Sequence, residues 1–357
     1  MSEHASRKAD HLDFCATDDV AFKSATTLLE QVQLVHDALP ELAVSEVDLS
    51  TQLVGRTLRA PVVIAAMTGG LERAERVNKD LAQVAEEHGL AFGFGSMRPL
   101  LTEGVRLGYE VRDVAPTATL LANIGVVQAH QASTQQLADM VGAVDCNALC
   151  VHLNPAMEVV QPEGDDDFRG GIDTLQRLQE ELSVPVIAKE TGCGLSRSVG
   201  QRIAALGIRT VDVSGAGGTS WVGVETLRAK ARTRSLGELF WDWGIPTAGS
   251  VAQLSDLDLE IIATGGVKNG LDIARAIALG ARAGGMARPF LMAWNRGGRD
   301  EASAAAAQVV EEVRIACLLT GSRTPADLAS RPLVLGAALR AWLPEDSSLH
   351  RRMVGSN

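Results

Sequence analysis

Eight short apolar runs recur along this chain, and most are followed by a glycine-bearing turn and a helical pattern. That rhythm limits the fold more than any other feature. The runs are Val62 to Ala66, Ala91 to Phe94, Thr119 to Asn123, Ala148 to Leu153, Val186 to Lys189, Thr210 to Ser214, Ile261 to Thr264 and Ala283 to Ala287. Helical patterns occupy Glu72 to Glu87, Thr134 to Val144, Ile172 to Leu182, Ser198 to Ala205, Leu271 to Leu279 and Glu301 to Leu319. Strands joined through a helix pair in parallel, because the crossover returns the chain to the same end of the sheet. Parallel strands covered by helices are apolar throughout, and Pro61-Val-Val-Ile-Ala-Ala and Glu260-Ile-Ile-Ala read that way.

Eight such units predict an α/β fold, a closed (β/α)8 TIM barrel. The alternative is an open, doubly wound sheet binding a dinucleotide, which needs G-x-G-x-x-G early in its first unit. Gly93-Phe94-Gly95 is followed by Ser96-Met97-Arg98, so the pattern fails there. The expected division is an N-terminal arm over residues 1–60, a barrel over 61–335 and a C-terminal tail over 336–357. The arm is read as a cap over one barrel mouth, with a helix from Thr26 to Leu39. Residues 215–259 form an unusually long interval between runs.

The 33 Lys plus Arg against 44 Asp plus Glu give a formal charge of −11, which argues against a nucleic-acid partner or adhesion to an anionic membrane. A small anionic ligand stays open, because local charge decides that. Apolar stretches such as Ala60 to Met67 fall far short of the roughly 20 residues of a membrane helix. Glu3, His4, Arg7, Lys8 and Asp10 lead into no apolar region, so no secretory signal is read and a cytoplasmic location is expected. The five cysteines include Cys146 and Cys150, spaced unlike a zinc or redox motif, and are read as reduced packing residues.

In a barrel of this kind chemistry gathers at the C-terminal ends of the strands. Gly265-Gly266 after the seventh run and Gly284-Gly285-Met286-Ala287-Arg288 at the eighth suit a phosphate, with Val267 and Lys268 beside it. A simple chain turn is the plainer reading of the glycine pair. Lys189 ends the fifth run, and three roles stay open for it: a Schiff-base amine, a cation beside an electron-rich ring, or an ion pair with Glu190. Thr68, Asn123, Ser214 and Thr219 are short hydrogen-bonding side chains on strand ends. Together with the phosphate site they suggest flavin mononucleotide (FMN) across the mouth.

His152, Asn154 and Glu158 close the fourth unit and precede Gln161, Glu163 and Asp165 to Asp167. Oxygen ligands beside a phosphate suit Mg²⁺, whereas Asp165 to Asp167 read as a solvated loop. Arg7, Lys8 and Arg98 have the chemistry to complete a diphosphate pocket. There is no G-x-S-x-G elbow, H-E-x-x-H pair or Walker loop, which leaves the hard step to a cofactor.

These strand ends, read in order, resemble the type 2 isopentenyl diphosphate isomerases, which are FMN-dependent barrels. The marks are Arg7-Lys8-x-x-His11-Leu12, Met67-Thr68-Gly69-Gly70, Gly95-Ser96-Met97-Arg98, His152-Leu153-Asn154-Pro155, Gln161-Pro162-Glu163-Gly164-Asp165 and Lys189-Glu190-x-Gly192-x-Gly194. Asp212-Val-Ser214, Gly217-Gly218-Thr219, Asp242-Trp243-Gly244-Ile245-Pro246-Thr247 and Gly265-Gly266-Val267-Lys268-x-Gly270 continue the series. The resemblance implies interconversion of isopentenyl and dimethylallyl diphosphate with Mg²⁺, NADPH as reductant, and the reduced flavin moving the protons. It implies cofactor positions at Ala66, Met67, Thr68, Gly69, Ser96, Asn123, Lys189, Ser214, Thr219, Gly265 to Lys268, Ala287 and Arg288. Substrate positions fall on Arg7, Lys8, Ser96, Met97, Arg98, His152, Asn154 and Met157, the metal ligand on Glu158, and the catalytic set on His152, Met157 and Lys189. A homo-oligomer, tetramer or octamer, is implied as well.

One departure stands out, because that family usually carries glutamine where this chain has Met157. Methionine offers no amide donor or acceptor. Lys268 replaces the more usual arginine, keeping the charge without the fork. Two other functions stay open: an FMN barrel with net redox turnover, for which His152 is the one strand-end histidine, and a non-catalytic flavin or prenyl-diphosphate binder.

Overall fold

The structure, a computed structural model, describes residue 14 and residues 20–66, 72–162, 164–229 and 231–354. Eight parallel strands close into a barrel in chain order: β1 (Val62–Ile64), β2 (Ala91–Gly93), β3 (Thr119–Gly125), β4 (Ala148–Leu153), β5 (Val186–Glu190), β6 (Thr210–Asp212), β7 (Glu260–Ala263) and β8 (Ala283–Met286). The seam is the pairing of β8 with β1, Gly284 beside Val62. Each predicted run is a strand, and the structure is the expected (β/α)8 barrel.

Two apolar layers hold it together. Inside the ring small side chains (Ala91, Ala148, Cys150, Ala283) pack with larger ones (Val63, Leu121, Ile187, Ile262). A hairpin of Thr51–Leu53 and Arg56–Leu58 plugs the N-terminal end with Leu53, Val54 and Leu58. At that end Glu260 accepts hydrogen bonds from Thr210 Oγ1 at 2.9 Å and the Val54 N–H at 3.2 Å, so its carboxylate is not stranded. The larger layer lies between strands and helices and buries Ile64, Leu120, Val151, Ile273 and many like them. Each fully buried Val, Leu or Ile there contributes roughly 1.5–3 kcal/mol.

Local signals start and stop the helices. Ser133 caps Thr134–Gly142 through Gln136, whose side chain returns a bond to the Ser133 N–H at 2.9 Å. Asn269 caps Gly270–Leu279 and Gly280, at φ 117°, ends it. One expected helix needs correction. Thr26 to Leu39 is not a helix: Leu28 takes a left-handed φ of 56°, a short 3-10 turn follows, and Val32–Leu34 pairs antiparallel with Leu333–Leu335. Leu29 and Val32 repeat at helical spacing because both are buried, not because the segment coils. The expected helix from Glu301 to Leu319 is present, preceded by a helical stretch from Arg288 that non-helical Gly297 and Gly298 separate from it. The 215–259 interval holds the helices Trp221–Arg228, Ala231–Leu239 and Thr247–Leu254. Among the described residues no helix is long and apolar enough to cross a membrane.

Candidate active site

Strand register builds the centre of the site. Gly125 lies beside His152, His152 beside Lys189, and Lys189 beside Asp212, so one level of β3 to β6 carries a histidine, a lysine and an aspartate on adjacent strands. Registered partners in a parallel sheet point to the same side, here the barrel mouth. The strand ends open into a cavity of about 820 Å³.

Lys189 pairs not with Glu190 but with Asp212, at 2.6 Å, and both side chains are almost wholly buried. Asp212 also accepts the Thr264 hydroxyl and, at 3.2 Å, the Ser214 N–H. A buried ammonium without a partner is costly, so a carboxylate at this level is what the lysine requires. That requirement is the signal for Asp212 available in the sequence, where it opens the Asp212-Val-Ser214 motif. Ser214 sits at φ 36°, an uncommon conformation for a non-glycine residue, and its carbonyl accepts from Gly192 at 2.8 Å and Gly194 at 3.2 Å.

Glu190 organises the loop that follows β5. Its Oε2 accepts the N–H groups of Thr191 at 2.6 Å, Gly194 at 3.2 Å and Cys193. Burial dominates these bonds and pushes the carboxyl up to about 8. A raised carboxyl favours the folded state most at acid pH, and that contribution is lost as pH climbs from the ordinary carboxylate range toward 8. Glu190→Gln keeps an acceptor and carries no charge. We therefore expect the parent to lose roughly 2–4 kcal/mol relative to this variant between pH 5 and pH 8.5, read from urea unfolding midpoints. A constant difference across that range would contradict a neutral Glu190.

His152 is oriented from behind. Asn123 Nδ2 donates to the Phe94 carbonyl at 3.0 Å, which leaves its Oδ1 to accept from His152 Nδ1 at 2.9 Å. The histidine tautomer is thereby fixed with the proton on Nδ1. Beside it, Asn154 Nδ2 donates to Glu158 Oε1 at 2.6 Å and lies 4.0 Å from the Met157 sulfur. Glu158 Oε2 accepts the Asp165 N–H at 3.0 Å, and Gln128 Nε2 reaches Asp165 Oδ2 at 2.8 Å. Asp165, read as solvated loop, is thus tied to Glu158. Among the described residues no three His, Cys, Asp or Glu side chains gather to cage a metal. Glu158 suits only a cation completed by substrate phosphate oxygens and water, which is the ordinary habit of Mg²⁺.

The opposite wall suits a phosphate. A Cβ on Gly218 would fall 2.4 Å from the Gly266 nitrogen, and one on Gly266 would fall 2.7 Å from the Gly217 carbonyl oxygen, so the loops after β6 and β7 meet backbone to backbone. Lys268 and Arg288 line this end, and Arg288 opens the long helix. Two cations over a glycine floor fit the phosphate of FMN, and Lys189 fits the electron-rich edge of its ring.

Of the remaining sequence candidates, Ala66, Ser96, Arg98, Thr219, Gly265, Val267 and Ala287 line the same cavity. Met97 does not: its side chain is fully buried in the shell between strands and helices, where a substrate cannot reach it. Arg7, Lys8, Met67, Thr68 and Gly69 lie outside the described residues. Ala21 to Thr27, in the arm read as a cap over one barrel mouth, also wall the cavity, although none of them stood among the candidate site residues. Within the arm, Ala21 bridges to Thr219 and the Phe22 N–H donates to Gly218 at 3.1 Å.

Comparison with known proteins bears on this geometry. The profile of the family described as FMN-dependent dehydrogenase matches residues 2–163 and 156–335. The isopentenyl-diphosphate delta-isomerase of Synechococcus sp. is 48% identical over 295 residues, covering 80% of this chain and 84% of its own. Those of Halobacterium salinarum and Methanosarcina mazei are 41% and 40% identical, covering 96% and 95% of this chain and 96% and 94% of their own. Among solved structures, a mutant flavocytochrome b2 with benzoylformate superposes at TM-score 0.68 with 20% identity, covering 93% of this chain and 83% of its own. A mandelate oxidase with 2-hydroxy-phenylacetamide superposes at 0.65 with 19% identity, covering 94% and 97%. At that identity the likeness shows the shared barrel alone. These relatives, 40–48% identical, cover 80–96% of the chain, which therefore belongs to the FMN-dependent, type 2 isopentenyl-diphosphate delta-isomerase family.

Proposed function

We propose that this chain interconverts isopentenyl and dimethylallyl diphosphate, using FMN kept reduced by NADPH and Mg²⁺ bound with the substrate. One observation carries the reading: a single cavity is lined by Lys268 and Arg288 following β7 and β8, by Arg98 and His152 from the second and fourth units, and by Lys189 on β5. The first pair suits the flavin phosphate and the second a diphosphate, so an allylic chain would lie across the ring. Bound and reduced, the flavin supplies the acid/base centre that no side-chain set provides here. Lys189, paired with Asp212, would present its ammonium to the ring of a bound flavin. Asn123 keeps His152 in one tautomer facing the cavity, and His152, Asn154 and Arg98 hold the diphosphate. Glu158, which lines the cavity, contributes a carboxylate to the cation.

Met157 lines the cavity between Asn154 and Glu158, and its thioether can orient a prenyl chain by packing but cannot relay a proton. The test is to purify the protein with FMN, reduce it anaerobically, add isopentenyl diphosphate and Mg²⁺, and follow the allylic isomer. Catalytic NADPH with many turnovers is the expected result. NADPH consumed in proportion to product would indicate net redox chemistry instead, and tight binding without isomer would indicate a binder.

A further inference from the structure

The motif Asp242-Trp243-Gly244-Ile245-Pro246-Thr247 touches none of the proposed chemistry directly, yet it meets four separate parts of the cavity wall. Asp242 Oδ1 accepts the Lys23 N–H at 2.8 Å, and Oδ2 accepts the Ser24 N–H at 2.7 Å, the Ala25 N–H at 3.4 Å and the Ser24 hydroxyl. Next to it, Trp241 Nε1 donates to the Ala21 carbonyl at 2.9 Å, and the Lys23 ammonium sits 4.1 Å above the Trp241 ring while pairing with Glu238. The Ile245 N–H donates to Cys193 O at 2.8 Å, the Ala216 N–H donates to Ile245 O at 2.9 Å, and Thr247 Oγ1 donates to Gly265 O at 2.5 Å. Residues 241–247 thus strap the arm to the loops after β5, β6 and β7.

We propose that Asp242 is a positioning residue that clasps the 20–27 arm over the barrel mouth and so fixes the wall against which the cofactor binds. The arm reaches the phosphate floor: Thr27 packs so closely on Gly217 and Gly266 that a Cβ on either would fall 2.1 Å from the Thr27 nitrogen or 2.6 Å from its Cγ2. The Thr27 carbonyl accepts the Ala248 N–H at 2.9 Å, which ties that contact to the helix Thr247–Leu254. Both oxygens of Asp242 are used, and the donors include consecutive backbone N–H groups. Only an acceptor on each side satisfies them, which a carboxylate provides and an amide does not. Burial alone would raise the Asp242 pKa, but the hydrogen bonds from Ser24, Lys23 and Ala25 outweigh it and hold it below the usual range. The clasp therefore works with a charged group.

This inference rests on the flavin reading of the cavity, and the experiment separates the two. Asp242→Asn is compared with the parent and with Trp243→Ala, a neighbour whose side chain is 60% exposed and packs on Phe240 rather than the arm. Three readouts are taken: amide hydrogen exchange of residues 20–27, the FMN dissociation constant by absorbance titration, and kcat with KM. In Asp242→Asn, exchange in the arm should rise at least tenfold while β3 to β5 stay protected, and FMN affinity should fall at least tenfold. The kcat of the FMN-saturated variant should stay within a few-fold. Trp243→Ala should match the parent. Ser24→Ala, which removes one donor only, should shift the same readouts in the same direction by a smaller factor, and it decides the matter if Asp242→Asn does not fold. Arm exchange and FMN affinity both within twofold of the parent would overturn the clasp, as would exchange accelerated equally in the barrel strands. A parent that binds no FMN would overturn the flavin reading instead, and arm exchange would still report on the clasp.

Discussion

Lys189→Met is expected to lower the isomerisation rate of the FMN-saturated enzyme about 10²–10³-fold, the usual effect of removing a fixed charge from a water-poor site. It should also destabilise the fold by about 3–5 kcal/mol, because Asp212 would be left buried without its counter-charge. The two losses can be separated. In the double variant Lys189→Met with Asp212→Asn no lone charge remains, and the amide can still accept from Thr264 or Ser214. Stability measured by denaturant unfolding should return to within about 1.5 kcal/mol of the parent, while the rate stays low. If the double variant isomerises at the parental rate, Lys189 serves the fold alone and the proposed placement of charge beside the flavin is wrong.

Gly266→Ala should raise the FMN dissociation constant about 100-fold, equivalent to about 3 kcal/mol. Gly266 sits at φ 72°, where a side chain is strained, and its new Cβ would fall 2.7 Å from the Gly217 carbonyl oxygen and 2.8 Å from the carbonyl carbon. Backbone atoms of two loops would have to part, and the floor offered to the phosphate would deform. Gly55→Ala isolates the strain from the collision, since Gly55 has φ 73° with nothing within 4 Å. That variant should lose about 1 kcal/mol of stability and bind FMN as the parent does. Equal effects of the two substitutions on flavin affinity would mean that backbone strain, not the shape of the floor, is responsible.

The barrel was legible because its strands are buried on both sides, so their apolar runs stand out without any partner information. Lys189 and His152 were legible for the converse reason, as polar residues ending runs that had no other use for them. Asp212 was harder, because an aspartate within the Thr210 to Ser214 run has no evident role until the register sets it beside Lys189. Met97 misled through its company, lying between Ser96 and Arg98 in sequence while its side chain turns away into the shell. A helix was expected from Thr26 to Leu39 because burial of Leu29 and Val32 mimics helical spacing, whereas long-range pairing of Val32–Leu34 with Leu333–Leu335 decides the conformation. The arm's contacts with Asp242 join residues far apart in the chain, and no local pattern announces them.

The seam between β8 and β1 has a consequence for synthesis. A ribosome must release residues through Met286 before the ring can shut, and through Leu335 before Val32–Leu34 meets its mate. Until then the nascent polypeptide exposes unpaired strand edges, the usual invitation to aggregation. The pocket is therefore completed only once β8 has been made, and a chain cut before Ala283 would be an open ribbon.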